Sequence, residues 1–353
     1  MKVVIIGCGL IGRKRALALG SDDKLIACCD INKNLSEKFA TEFSCQAYTD
    51  YHELVTQINC DSVIVAVVNK FASYIVMDAL NLGKNVLAEK PLGRDAEEAR
   101  RILKILEEWN DEIVEKLNNK TLNPPTRKHS NIPVLKTGFN HKFHPAIWKA
   151  KQILDQGSIG RVFNIRATYG HGGRPDMENE WRASKELCGG GELLDQGVHI
   201  IDLIRWFGGE ITEVFGKVET KYWNIEVEDN AYVYLKTNKN VSVFFNVSWT
   251  NWKNIFSFEL FGIDGYVKIE GLGGSYGQEI LEFGKRKKEG GKPDIEIFEF
   301  PPEDISWKEE WKEFKSAINE NRDVIGNGYD GLKANEVIDA IYRSSKEDKV
   351  VHL

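Results

Sequence analysis

The sequence predicts an α/β chain in two parts: a doubly wound parallel sheet of Rossmann type, then an α+β domain built on a large, mostly antiparallel open sheet. Three observations predict it. Residues 2–6, KVVII, are a continuous β-branched run that leads directly into Gly7-Cys8-Gly9-Leu10-Ile11-Gly12. Strand-like and helix-like segments then alternate through the first half, which makes a βαβ series and hence a parallel sheet. Beyond Gly157 the pattern changes to short strands separated by turn residues. At 353 residues the chain also exceeds what one hydrophobic core usually supports. The domains are therefore expected at 1–142 and 143–353, with a polar insertion near 110–133 and a C-terminal helix as a candidate to pack back on the first domain.

The elements follow in order. After the first strand, a helix runs through Arg13–Leu19, and LIACCD closes on Asp30 as the second strand. Helices are expected at 34–43, 50–57 and 71–82, and strands at 45–48, 62–68 and 85–89. Residues 94–117 read as one charged helix, 134–140 as the closing strand and 144–154 as a linking helix. In the second half, strands are expected at 161–169, 212–221, 227–237, 240–249, 255–262, 265–271, 278–284 and 293–300, with closing helices at 306–321 and 329–346. The aromatic run at 241–261 lies on a sheet whose second face needs cover, so a homo-oligomer, a dimer or tetramer joined through the open sheet, is expected.

Composition narrows the function. A net charge of −6 without a long basic run points away from nucleic acid. The apolar runs fall far short of a bilayer span. The N-terminus carries no small-residue cleavage pattern, so a cytoplasmic protein is expected. The six cysteines show no C-x-x-C spacing and read as reduced thiols. His141-x-x-His144 has no carboxylate at ligand spacing, so no metal is expected.

A lone G-x-G-x-x-G is weak, but this one follows a strand, opens a helix and precedes a second strand ending in an acid. Gly7, Gly9 and Gly12 would let the backbone approach a pyrophosphate at the helix N-terminus, with Leu10 and Ile11 alongside, and Asp30 would hold ribose hydroxyls. A carboxylate there repels a 2′-phosphate, which favours NAD over NADP, although Lys33 is near. Ligands on such sheets sit beyond the carboxyl ends of the strands, so Val67, Asn69, Glu89 and Lys90 complete the cofactor set.

Residues 189–209, GGGELLDQGVHIIDLIRWFGG, read as a buried helix bounded by glycines. Asp195, His199 and Asp202 are spaced i, i+4, i+7 and would share one stripe of an α-helix. Two readings stand: a core histidine bonded to Asp195 with Asp202 exposed at the far end, or a functional pair.

EKP at 89–91, together with GGGELLDQGVHIID, resembles the Gfo/Idh/MocA family of oxidoreductases, and the resemblance covers essentially the whole chain. It implies that Lys90, Asp195 and His199 are catalytic and that the protein is an NAD-dependent dehydrogenase acting on CH–OH groups. The substrate would be a sugar, a cyclitol or a nucleotide-linked sugar. His199 would take the hydroxyl proton, Lys90 would stabilise charge on the same oxygen, and Asp195 would orient the imidazole or bind a neighbouring hydroxyl. The chain departs from the family's frequent Pro-Asn after the fourth strand, having Val68-Asn69. His141, Tyr169, His171, Arg174 and Trp181 are the substrate candidates, since aromatic and arginine side chains suit a sugar face and an anionic group. Two alternatives remain: an NAD-dependent glycoside hydrolase with transient oxidation, and a non-catalytic dinucleotide sensor.

Overall fold

The computed structural model describes residues 1–117 and 132–353. It divides into two compact units, one formed by residues 1–139 and 307–333 and the other by 140–306 and 334–353. The boundary read from sequence at 142/143 therefore needs correction at its far side, because residues 307–333 belong to the first unit. Residues 118–131 of the expected polar insertion lie outside the described residues.

The first unit runs β1 (Lys2–Ile6), α1 (Leu10–Leu17), β2 (Lys24–Cys29), α2 (Lys33–Phe43), β3 (Gln46–Tyr48), α3 (Tyr51–Gln57), β4 (Ser62–Val65), α4 (Asn69–Asn81), β5 (Asn85–Ala88), α5 (Ala96–Leu117) and β6 (Leu135–Thr137). Among the described residues the sheet has six strands in the order β3-β2-β1-β4-β5-β6, every pair parallel. Strand alternation sorts the core into two faces. Val4, Ile6, Val63, Val65 and Val86 meet Ile75, Val76, Leu80 and Ile102 of α4 and α5. On the other face Val3, Ile5, Ile64 and Leu87 meet Phe39 of α2, Trp311 and Phe314. The last two explain the corrected boundary: in the helix they occupy, Trp311, Phe314 and Ala317 form one apolar stripe, and its burial ties 307–333 to this sheet. Helix starts follow capping chemistry, with Asn32 accepting from Asn34 N and Leu35 N, and Asp50 from His52 N and Glu53 N.

The second unit begins with a 3₁₀ turn at Asn140–Phe143, followed by α6 (Pro145–Asp155), β7 (Val162–Gly170) and α7 (Lys185–Cys188). Next come a π turn at Leu193–Gly197 and α8 (Val198–Gly208). Strands β8 (Ile211–Glu219), β9 (Asn230–Thr237), β10 (Ser242–Ser248), β11 (Ile255–Gly262), β12 (Gly265–Glu270), β13 (Ile280–Lys285) and β14 (Asp294–Glu299) follow. The chain closes with α9 (Ser306–Glu320), α10 (Gly328–Glu347) and β15 (Val351–His352), and the boundary between units falls within α10. Among the described residues this sheet has nine strands, β14-β13-β12-β11-β7-β10-β9-β8-β15, antiparallel except for β7 beside β10. One face is covered by helices: Gly216 of β8 lies against Ile341 of α10 and donates to Ser344 Oγ at 3.1 Å. Phe163, Tyr232, Tyr234 and Phe244 are exposed on the sheet.

The 189–209 stretch is not one α-helix. The π turn carries Asp195, and a π turn spreads its hydrogen bonds over five residues, so the stripe argument from α-helical spacing does not hold across it. Asp202 is also not exposed; it is buried in α8 and accepts from Lys142 Nζ at 2.8 Å. A buried carboxylate paired with a buried ammonium is a structural answer to Asp202.

Candidate active site

In the first unit the turn between β1 and α1 is built for close backbone approach. Gly7 has φ +101°, and a Cβ there would strike the Ala66 carbonyl; a Cβ on Gly12 would strike the Gly7 carbonyl. Gly9 is different: a Cβ would meet nothing within 4 Å, and as N-cap of α1 it makes no side-chain capping bond. The first N–H groups of α1 are thus left to an outside acceptor, as an anion cradle requires. Leu10 is exposed beside it, with Ile11 half-buried.

Asp30 follows β2. One of its oxygens accepts from Cys8 N at 3.0 Å and the other from Asn32 N at 2.9 Å. The carboxylate is held in place, and each oxygen keeps a lone pair for a ribose hydroxyl. Lys33 points its charge at Glu37, 3.7 Å away on the exposed face of α2. The residues present therefore fit NAD, and a 2′-phosphate would meet the Asp30 carboxylate.

Val67 follows β4 and Asn69 opens α4, while Glu89-Lys90-Pro91 follows β5. The Lys90–Pro91 bond is cis. Glu89 is anchored twice, its N–H donating to Val65 O at 2.9 Å and its carboxylate receiving Arg15 Nε at 2.6 Å. Arg15 is buried, lies 4.5 Å from the Trp307 ring centroid and also pairs with Glu310, which Lys136 Nζ approaches to 3.3 Å. Sequence reading did not find this network; a charged residue in a short helix gives no sign of which way it faces.

In the second unit the candidates gather around α8. His199 is buried, and its ring stacks on that of His141 at 3.7 Å between centroids and 17° between planes. His141 Nδ1 lies 3.2 Å from Asn140 Oδ1 and Nε2 lies 3.1 Å from the Tyr169 hydroxyl. Tyr169 packs edge-on against Phe256, and burial holds its phenol well above the usual range. Asp195 Oδ2 accepts from Arg182 Nε at 3.3 Å. Arg182 covers the Trp181 ring at 4.3 Å, and Arg174 makes two bonds with Glu180, which draw the Glu180 pKa down. His171 Nδ1 accepts from Gly173 N, and burial lowers its pKa despite the nearby Asp195.

The structure thus brings His141, Tyr169 and His199 into one cluster, and ties Asp195 to Arg182, beside the Trp181 and Glu180–Arg174 pair. Asn140, Lys142, Gln196, Tyr276 and Glu228 join this neighbourhood unforeseen. Gln196 Nε2 donates to Tyr276 OH at 2.8 Å. Glu228 accepts from Gly191 N, Leu193 N and Tyr342 OH, so it fixes the entry to the π turn. The available signal was the polar run Asn140-His141-Lys142 directly after a buried strand. Among the described residues, no group of three or more His, Cys, Asp or Glu side chains is arranged to hold a metal ion. No described helix is long and apolar enough to cross a membrane.

Residues 1–115 match the family description "Oxidoreductase family, NAD-binding Rossmann fold", and residues 147–268 match "GFO/IDH/MocA C-terminal domain". A levoglucosan dehydrogenase of Pseudarthrobacter phenanthrenivorans is 27% identical over 62% of the chain and 54% of its own length. An inositol 2-dehydrogenase/D-chiro-inositol 3-dehydrogenase of Lactiplantibacillus plantarum is 23% identical over 98% of the chain and 91% of its own length. The chain is thus aligned to little over half of the first relative and to most of the second. Among solved structures, a levoglucosan dehydrogenase in complex with NADH and levoglucosan aligns at a TM-score of 0.85 and 20% identity, covering 100% of this chain and 99% of the other. The WlbA dehydrogenase of Bordetella pertussis, in complex with NADH and UDP-GlcNAcA, aligns at 0.79 and 18% identity, covering 100% and 98%. At such identities these likenesses establish the fold.

Proposed function

The chain belongs to the Gfo/Idh/MocA family of oxidoreductases, and on that premise we propose that it is an NAD-dependent dehydrogenase acting on a CH–OH group of a sugar, a cyclitol or a nucleotide-linked sugar. The observation that carries the reading is the buried cluster of His199, His141 and Tyr169, in a chain whose first unit has an open glycine turn and a fixed Asp30. Alcohol oxidation needs a proton acceptor at the hydroxyl, and an imidazole is the side chain most often used for that task.

The glycine turn at Gly7–Gly12 and the Asp30 carboxylate would hold NAD, which when bound would supply the hydride acceptor for the carbinol C–H bond. The chain's residues handle the proton and the charge. The His199 imidazole takes the proton of the substrate hydroxyl, and the Lys90 ammonium is a donor suited to stabilising negative charge that develops in the oxidation. Asp195, restrained by Arg182, binds a neighbouring hydroxyl. The exposed Arg174 and the half-buried Trp181 of the 171–182 segment are suited to an anionic substituent and a sugar face. The exposed aromatic face of the second sheet would take a second copy of the chain.

A panel of polyols, cyclitols, free sugars and nucleoside-diphosphate sugars, followed by NADH absorbance at 340 nm, tests the substrate class, with ~340 nm being the usual reporter of the reduced nicotinamide. Turnover of at least one member with NAD⁺ is expected. Release of an aglycone without net NADH would instead select the glycoside-hydrolase reading.

A further inference from the structure

The stacked His141 is joined to the protein by a chain of hydrogen bonds whose direction can be worked out from valence alone. It ends on the Asp304 carboxylate, which only accepts. Ser306 Oγ donates its single proton to Asp304 Oδ1 at 2.6 Å, so toward Asn140, 2.9 Å away, it can only accept. The Asn140 amide therefore turns its Nδ2 to Ser306 and its Oδ1 to His141. His141 Nδ1 must then carry a hydrogen to donate to Oδ1 at 3.2 Å, while its Nε2 lies 3.1 Å from the Tyr169 hydroxyl, which donates to it when the ring is neutral. Tyr276 accepts from Gln196 Nε2 at 2.8 Å, and its ring packs on that of Tyr169 at 5.0 Å between centroids. Every donor from His141 Nδ1 to Asp304 then points the same way.

We propose that Asp304, Ser306 and Asn140 are positioning residues that lock His141 as the neutral Nδ1–H tautomer, so that a proton taken by His199 sits over the face of an uncharged ring. This rests, for its catalytic meaning, on the reading of His199 as the proton acceptor. Two imidazolium rings in face contact would repel, whereas a neutral ring presents its π face to a cation. The titratable groups facing His141 are His199 from α8, Tyr169 from β7 and His144 from its own turn, with Tyr276 from the loop after β12 packed on Tyr169 behind it. His144 is occupied by Glu279 at 2.7 Å and approaches Asp304 to 4.0 Å, and Glu192 and Asp195 act on the Tyr169 phenol.

The test is the ¹⁵N spectrum of the wild-type imidazoles at neutral pH, with His141 assigned through its own backbone amide. The lock requires a pyrrole-type Nδ1 and a pyridine-type Nε2; a protonated Nε2, with or without Nδ1, overturns it whatever the activity. Asn140→Asp supplies a carboxylate at Nδ1, which favours a doubly protonated His141. The acidic limb of the kcat/KM profile is then expected to move down by about one pH unit, a tenfold change in proton affinity, with the Kd for NADH unchanged. If His141 becomes doubly protonated and the limb stays put, the positioning role is wrong. Loss of the His199 dependence, seen as full activity in His199→Ala, would instead fault the functional reading while the spectrum still decides the lock.

Discussion

His144 and Glu279 show how a buried pair sets a residue's behaviour. Burial alone would raise the Glu279 pKa, but the His144 ring and the N–H groups of Ala146 and Gly273 outweigh it, and the net shift is downward from 4.5. A carboxylate with a depressed folded pKa contributes stability that is present above its unfolded value near 4.5 and is lost as the pH falls through the folded value. Glu279→Ala removes one partner of a buried pair and is expected to cost about 3 kcal/mol, the lower end for such losses. Urea unfolding at pH 7 measures it, and the difference from wild type should shrink on acidification below pH ~4. A difference that grows on acidification would mean that the pair is not what Glu279 contributes. At this scale the sequence reading identified His141 and His199 but not what holds them. Asp304, Ser306 and Glu279 lie more than a hundred positions from the histidines they serve, and no local pattern carries that information.

At the level of elements, the glycine turn was legible and the π turn was not. Gly7, Gly9 and Gly12 were readable from their spacing: Gly7 and Gly12 sit where the backbone comes close to itself, and Gly9 sits beside open space. Gly12→Ala puts a methyl against the Gly7 carbonyl, a backbone atom that cannot swing aside. Overpacking of this kind costs about 1–3 kcal/mol, and part of it falls on the cradle. The Kd for NADH is therefore expected to rise by roughly tenfold or more, since ~1.4 kcal/mol is a factor of ten; calorimetry measures it, and an unchanged Kd would show that this turn does not hold the cofactor. The π turn at 193–197 escaped because apolar periodicity reports which residues are buried, here Leu193, Leu194 and Gly197, and does not register one extra residue in a turn. It is fixed instead from a distance, by Glu228 on Gly191 N and Leu193 N.

At the scale of the whole molecule, composition and alternation were enough for the two sheets. Strands β1, β4 and β5 are apolar on both faces, and β9 to β12 alternate, which is the difference between a sheet covered twice and a sheet covered once. The misplaced segment is 307–333, because chain order says nothing about which sheet an amphipathic helix will cover; Trp311 and Phe314 settle it only when packed. The exposed aromatics of the second sheet agree with the alternation.

The central claim is that His199 takes the substrate proton in an NAD-dependent oxidation, and a single comparison tests it most directly. Wild type and His199→Ala are assayed for NADH formation on the best substrate of the panel, with NADH binding measured in parallel. The account predicts a fall in kcat/KM of about 10²–10⁴, the usual contribution of a positioned base, with NADH binding retained. Full activity in the variant would contradict it.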